Sequence, residues 1–195
     1  ALDKELQMGD STLKRIPRQQ LPDEFTLAWD TLNGLTGEPA FVEAFATAPH
    51  VLRFVMGDFY ENLFFGGKVD QRYKQLVRLR LSALHGCLTC NKQNTNGMSD
   101  AGFNHGQIDA VMCDYAPCDE LEPADKAVLR YADQVALTNH DGKLDEALTD
   151  ELRGYFGSAG ICELGTVMAV ISGMAKLSFV LDLVEKESYC EFANG

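Results

Sequence analysis

Two cysteines, Cys87 and Cys90, form a Cys-x-x-Cys directly after the run Gln71–His85 and the break at Gly86. Asn94 follows one turn later. A pair spaced this way at the start of a helix can cycle between dithiol and disulfide. The helix N-terminus favours negative charge and so lowers the pKa of a thiol placed there. The thiolate is the form that attacks peroxides and disulfides. On a regular helix Cys87, Cys90 and Asn94 fall at i, i+3 and i+7 and share one face. The pattern reads as a redox site in which Asn94 hydrogen-bonds a sulfur or a substrate. The plain alternative is two buried, inert thiols beside an incidental Asn, and the helix-start placement favours the redox reading.

Other residues near the pair carry weaker signals. Structural zinc needs four ligands, usually two close pairs. Cys113 and Cys118 are too widely spaced for a second Cys-x-x-Cys, so neither a metal nor a cofactor is expected. With Cys162 and Cys190 they read as bystanders, Cys162 packed in the last helix and Cys190 near the tail. The chain is long enough, and rich enough in core residues, not to need a disulfide framework. His85 could serve as a base, but at a helix end it more often packs or caps the last carbonyls. Arg72, Lys74, Arg78 and Arg80 make Gln71–His85 locally basic. They could draw an anionic substrate or lower a thiol pKa, although such residues more often pair with acids across a subunit interface or are solvated. Met56, Phe59, Tyr60 and Phe64 could wall a pocket for a hydrophobic hydroperoxide; at helical spacing the commoner role is core. His50, His105 and His140 show no ligand spacing.

The elements that must position these residues read as helical almost throughout. Leu21–Leu35 follows Pro17 and carries Phe25, Ala28, Trp29 and Leu32 on one face. Phe41–Ala46 is short. His50–Phe65 has an apolar stripe from Leu52 to Leu63 and ends at Gly66-Gly67. Asp70 caps Gln71–His85, and the cysteine pair opens a helix that reaches about Ser99. Asn104 could cap His105–Met112; a Pro-containing loop, Cys113–Pro123, leads to Ala124–Thr138. A helix through Leu144, Leu148, Leu152 and Tyr155 exits at Gly157–Gly160. The longest helix, Ile161–Lys186, is apolar on most sides and is expected at the centre or in a subunit interface. No strand is needed. The reading is one all-α domain over 1–195, with a core at 50–186 and an N-terminal extension at 1–20.

Composition removes several function classes. The net charge of −12 over 195 residues argues against nucleic acid and against an anionic membrane surface as partners. No uninterrupted apolar run reaches ~18 residues, so no membrane span is expected. No basic stretch followed by an apolar one opens the sequence, so no signal peptide is read and a cytoplasmic location is expected.

The stretch Lys74–Cys90 resembles the core of the alkyl hydroperoxidase D and carboxymuconolactone decarboxylase superfamily. The likeness continues through Asp100-Ala101-Gly102-Phe103, Gln107-Ile108 and Lys126–Ala132, and into the closing helix around Glu163–Val184. Upstream, Leu63–Asp70 also fits. The resemblance implies an all-α fold of paired helices in a homo-oligomer, commonly a trimer or hexamer. In the peroxidase branch, a Glu precedes the Cys-x-x-Cys by twelve residues and a His follows the second Cys by four. That second Cys attacks peroxide, the first resolves the product, and the Glu and His relay protons. Carried over, Cys90 would attack and Cys87 resolve. Gln75 stands at the Glu position and Asn94 at the His position. Both keep the shape and hydrogen bonding but cannot carry protons.

The function expected is therefore a thiol-dependent, peroxidase-like oxidoreductase with a non-standard proton relay. It would reduce alkyl hydroperoxides or exchange disulfides with an unidentified thiol reductant. The site residues are Cys87, Cys90, Asn94, Gln75 and His85. The alternatives are a cofactor-free lyase or decarboxylase of the carboxymuconolactone type, and a non-catalytic oligomeric binding protein.

Overall fold

From residue 13 to residue 185, the part that the computed structural model describes, the chain passes from helix to helix. A 3-10 turn, Arg18–Gln20, precedes α1 (Asp23–Thr36), α2 (Ala40–Phe45) and α3 (Pro49–Arg53). A π-helix, Phe54–Phe65, continues α3. Then follow α4 (Gln71–Leu84), α5 (Leu88–Asp100), α6 (His105–Met112), α7 (Pro123–Ala136) and α8 (Glu146–Val180). No strand occurs among the described residues, as an all-α reading requires.

Local chemistry explains most boundaries. Asp70 accepts the amide of Arg72 at 2.8 Å and opens α4. Asn104 and Gln107 form a reciprocal capping box at the start of α6, each side chain accepting the other residue's amide at 3.0 Å. Asp145 caps α8 through the amide of Leu148.

Two elements differ from their sequence reading. The spacing predicts one α-helix over His50–Phe65, and the structure divides it at Phe54. The fully buried residues beyond that point are Val55, Phe59 and Phe64, at intervals of four and five. An i→i+5 helix has the longer repeat needed to turn all three toward the core. The expected exit at Gly157–Gly160 is instead a bend inside α8, where Gly157 alone leaves helical geometry at φ 63° and ψ 175°.

Helix α4 lies between two cores. Val77 and Leu81 pack with Val128, Leu164, Val167 and Met168 of α7 and α8. Leu76 and Leu79 pack on the other side with Met98, Ile108, Val111 and Leu129. A third cluster joins Phe25 of α1, Val42 and Phe45 of α2, Leu52 of α3 and Leu183. Burying an unpaired charge is costly, and three of the four cations on this helix are paired within the chain. Arg72 reaches Asp125 at 3.0 Å, Lys74 reaches Glu163 at 2.7 Å and Arg80 reaches Asp133 at 2.7 Å. These three pair within the chain, so the expected partners across a subunit interface are not needed for them.

By length and composition α8 could cross a membrane, which the interrupted apolar run in the sequence did not predict. It buries Leu152, Leu164, Val167 and Met168 against α4 and α7. Its Cys162 is exposed rather than packed, because Leu164 and Met168 turn the opposite face inward. Cys118 is also free, whereas Cys113 is disulfide-bonded and so is no inert bystander. Cys190 lies outside the described residues.

Candidate active site

Gly86, at φ 66°, turns the chain out of α4 and into the cysteine pair. Cys87 has extended geometry and is the N-cap of α5; its Sγ accepts the amide of Cys90 at 3.2 Å. The two residues are joined as a disulfide with Cα atoms 5.2 Å apart. The intervening Thr89 is held from two directions. Its hydroxyl donates to Glu38 and accepts the amide of Glu185 at 3.1 Å, while the amide of Leu88 donates to the carbonyl of Glu185 at 3.0 Å. Chain segments far apart in sequence thus fix the first turn of α5.

One side of this turn faces a cavity of about 950 Å³. Phe25, Ala28 and Leu32 of α1 form one wall, and Ile171 and Met174 of α8 another. Cys90 lines the cavity, whereas Cys87 is fully buried behind it. Gln75, His85 and Asn94 line it too, so four of the five expected site residues share one space. Met56, Phe59 and Tyr60 of the π-helix also line it, Phe59 serving the core as well. Phe64 belongs only to the core. The stripe is therefore partly pocket wall, because the π-helix brings Met56 and Tyr60 beside the inward-facing Val55 and Phe59.

The two amides are held differently. Asn94 Nδ2 donates to the carbonyl of Arg78 at 3.2 Å and to Ser82 Oγ at 2.9 Å. A backbone carbonyl can only accept, which fixes the orientation of the amide. Ser82 Oγ in turn donates to the carbonyl of Leu79 at 2.9 Å. Asn94 Oδ1 is left buried with no hydrogen-bond partner, and so is Gln75 Oε1. Gln75 lies against Gly97 of α5, where a Cβ would stand 2.6 Å from its Oε1. Two open acceptors therefore sit where the proton-carrying pair of the resemblance would be.

His85 is the C-cap of α4 through its backbone amide, and its ring bonds none of the helix carbonyls among the described residues. Its Nδ1 is buried without a partner. Burial pulls its pKa below the ordinary value of 6.5, which keeps the ring neutral at neutral pH. A neutral ring can accept a proton. Of the packing or capping role favoured from sequence, the ring shows no capping bond among the described residues, and its Nδ1 is buried beside the cavity.

Two cavity residues were legible only in part. Gln75, Arg78 and Ser82 recur at three and four residues, the spacing of one helical face. That signal aligns all three with the site, yet Ser82 carried no separate mark. Arg78 stood among four cations, and nothing in the sequence separated it from the other three.

The model of the carboxymuconolactone decarboxylase family matches residues 49–134, from α3 to α7. No curated protein matches. Among solved structures, the chain is similar to the debrominase Bmp8, at a TM-score of 0.72 and 15% identity over 92% of this chain and 93% of that one. That protein was crystallised with 2,3,4-tribromopyrrole. It is also similar to an uncharacterised peroxidase-related protein from a Silicibacter species, at a TM-score of 0.71 and 14% identity over 91% and 95% of the two chains. A third is the alkylhydroperoxidase AhpD core of an uncharacterised peroxidase-related protein from Ralstonia eutropha, at a TM-score of 0.69 and 18% identity over 86% and 87%. At such identities the likeness is one of fold.

Proposed function

We propose that the chain, whose residues 49–134 match the model of the carboxymuconolactone decarboxylase family, is a thiol-dependent peroxidase in which Cys90 attacks and Cys87 resolves. The observation that carries this reading is the asymmetry of the pair: Cys90 opens onto the cavity, and Cys87 is shielded behind it within bonding reach.

In the first step the Cys90 thiolate attacks the terminal peroxide oxygen, and the O–O bond breaks. The alkoxide leaves, takes a proton and becomes an alcohol, and Cys90 becomes a sulfenic acid. Cys87 then attacks that sulfur, expelling water and forming the disulfide. Two thiols of a reductant restore both cysteines and are themselves oxidised to a disulfide. The sum is hydroperoxide plus two thiols to alcohol, water and one disulfide.

His85, neutral and unpartnered at Nδ1, is the base for the Cys90 thiol and returns the proton to the leaving alkoxide. Gln75 and Asn94 move no protons. Their open oxygens accept the O–H of the incoming hydroperoxide and orient it.

Steady-state reduction of cumene hydroperoxide with dithiothreitol tests this. The native chain should turn over and Cys90→Ser should not. Mixed with hydroperoxide in the absence of dithiothreitol, reduced Cys87→Ser should consume one equivalent and stop at the Cys90 sulfenic acid. Full turnover by Cys90→Ser would refute the reading.

A second reading rests on the aromatic wall of the cavity, Phe25, Phe59 and Tyr60, together with the fold shared with the debrominase. The same dithiol could remove a halogen: an aryl bromide and two thiols give the arene, bromide, a proton and a disulfide. Release of bromide from tribromopyrrole by the reduced chain, lost in Cys90→Ser, would favour it.

A further inference from the structure

Arg78 is the one cation of α4 whose charge is left uncompensated. Arg72, Lys74 and Arg80 each have a carboxylate. Arg78 is only 6% exposed, and no ion pair or hydrogen bond holds its guanidinium among the described residues. Its Cζ lies 5.4 Å from the ring of Tyr60 and 5.3 Å from that of Phe64, so aromatic faces are its neighbours. Burying an unpaired charge is costly, and aromatic contact recovers only part of that cost. Arg78 lines the same cavity as Cys90.

From this we infer that the cavity binds an apolar molecule with a carboxylate head, the head seated on the Arg78 guanidinium and the tail along the apolar wall. A planar guanidinium matches the two oxygens of a carboxylate. The charge count selects a monoanion. The other arginine of the lining, Arg53, is already paired with Glu24 at 2.7 Å, and His85 is neutral. Glu38 of the lining accepts from Thr89 and lies 3.7 Å from Lys92, and Glu61 and Asp100, exposed members of the lining, disfavour a more highly charged head such as a phosphate dianion. The tail has Phe25, Leu32, Met56, Phe59 and Met174 to lie against. As a statement about substrate, a carboxylate-bearing hydroperoxide, the inference rests on the dithiol reading above. As a binding site it does not.

Titration calorimetry on the oxidised protein, with no peroxide present, separates the two. Decanoate and 1-decanol share a chain and differ in the head. Native protein should bind decanoate about ten- to a hundredfold more tightly than decanol, as expected for a charged hydrogen-bonded head. Arg78→Gln should bring the two affinities together, and Arg78→Lys should keep part of the preference. Absence of decanoate binding, equal affinities in the native protein, or a full preference in Arg78→Gln would overturn the site. Should Arg78→Gln fail to fold, the native ratio and Arg78→Lys decide: a native ratio near one, or no loss of preference in Arg78→Lys, overturns it. Decanoate held through Arg78 in a chain that reduces no hydroperoxide would refute the peroxidase reading and leave the site standing.

Discussion

At the scale of single residues, Gln75 and Asn94 are amides at the two positions where the family resemblance would place proton carriers. Asn94→His combined with Gln75→Glu should raise the rate of hydroperoxide reduction at neutral pH, by about tenfold or more, since acid–base assistance is worth ~10²–10⁴-fold. The gain should shrink at high pH, where the thiol ionises unaided, and vanish in a Cys90→Ser background. A high native rate left unchanged by the double substitution would contradict this. His85 gives a second prediction. Its folded pKa is depressed by burial below 6.5, so between that folded value and 6.5 the unfolded chain binds the extra proton. Stability therefore falls as pH drops through this window and is complete above it. Thermal unfolding from pH 7.5 to 5 should show that fall, and His85→Asn should reduce it. The cysteine pair, Gln75 and Asn94 were legible from spacing and resemblance, because they lie within twenty residues of one another. The lone charge of Arg78 was not, because Asp125, Asp133 and Glu163, which neutralise its neighbours, come from α7 and α8.

At the scale of elements, two glycines are required for opposite reasons. Gly157 has open space around it, but its φ of 63° and ψ of 175° suit only glycine. Gly67 has no positive φ, yet a Cβ there would stand 2.6 Å from the carbonyl oxygen of Leu63 and collide with Glu163. Glu163 is where α8 grips the loop before α4. It accepts the amides of Lys68 and Val69 at 3.0 Å each, besides the ammonium of Lys74. Burial raises its pKa, but those donors outweigh burial and leave it below the ordinary value. Gly157→Ala should cost about 1–3 kcal/mol through backbone strain, and Gly67→Ala a similar ~1–3 kcal/mol through overpacking. Urea unfolding measures both, and a variant as stable as the native chain would contradict the corresponding reason. Caps at Asp70 and Asn104 could be read from sequence because they act within three residues. The π-helix could not, since apolar residues at three, four and five satisfy both helical repeats until a core selects one.

At the scale of the whole molecule, α1, the π-helix, α4, α5 and α8 enclose the cavity, and no local pattern announces a space walled by residues as distant as Phe25 and Met174. The chain also leaves apolar surface outside. Leu177 and Val180, near the end of α8, are exposed, Val180 at 73%. We propose that this face joins copies of the chain, as burial of such surface is favourable. Sedimentation should show an oligomer at micromolar concentration, and Leu177→Glu with Val180→Glu should shift it toward monomer. A native monomer would contradict the proposal. The central claim, that Cys90 meets the hydroperoxide and Cys87 only resolves it, is tested most directly by trapping the first product. Reduced Cys87→Ser protein is given one equivalent of cumene hydroperoxide with dimedone, and the adduct is located by peptide mass spectrometry. The account predicts one adduct, on Cys90, and none on Cys118 or Cys162. Hydroperoxide consumed with Cys90 unlabelled, or an adduct on Cys87 in reduced Cys90→Ser protein with equal consumption, would contradict it.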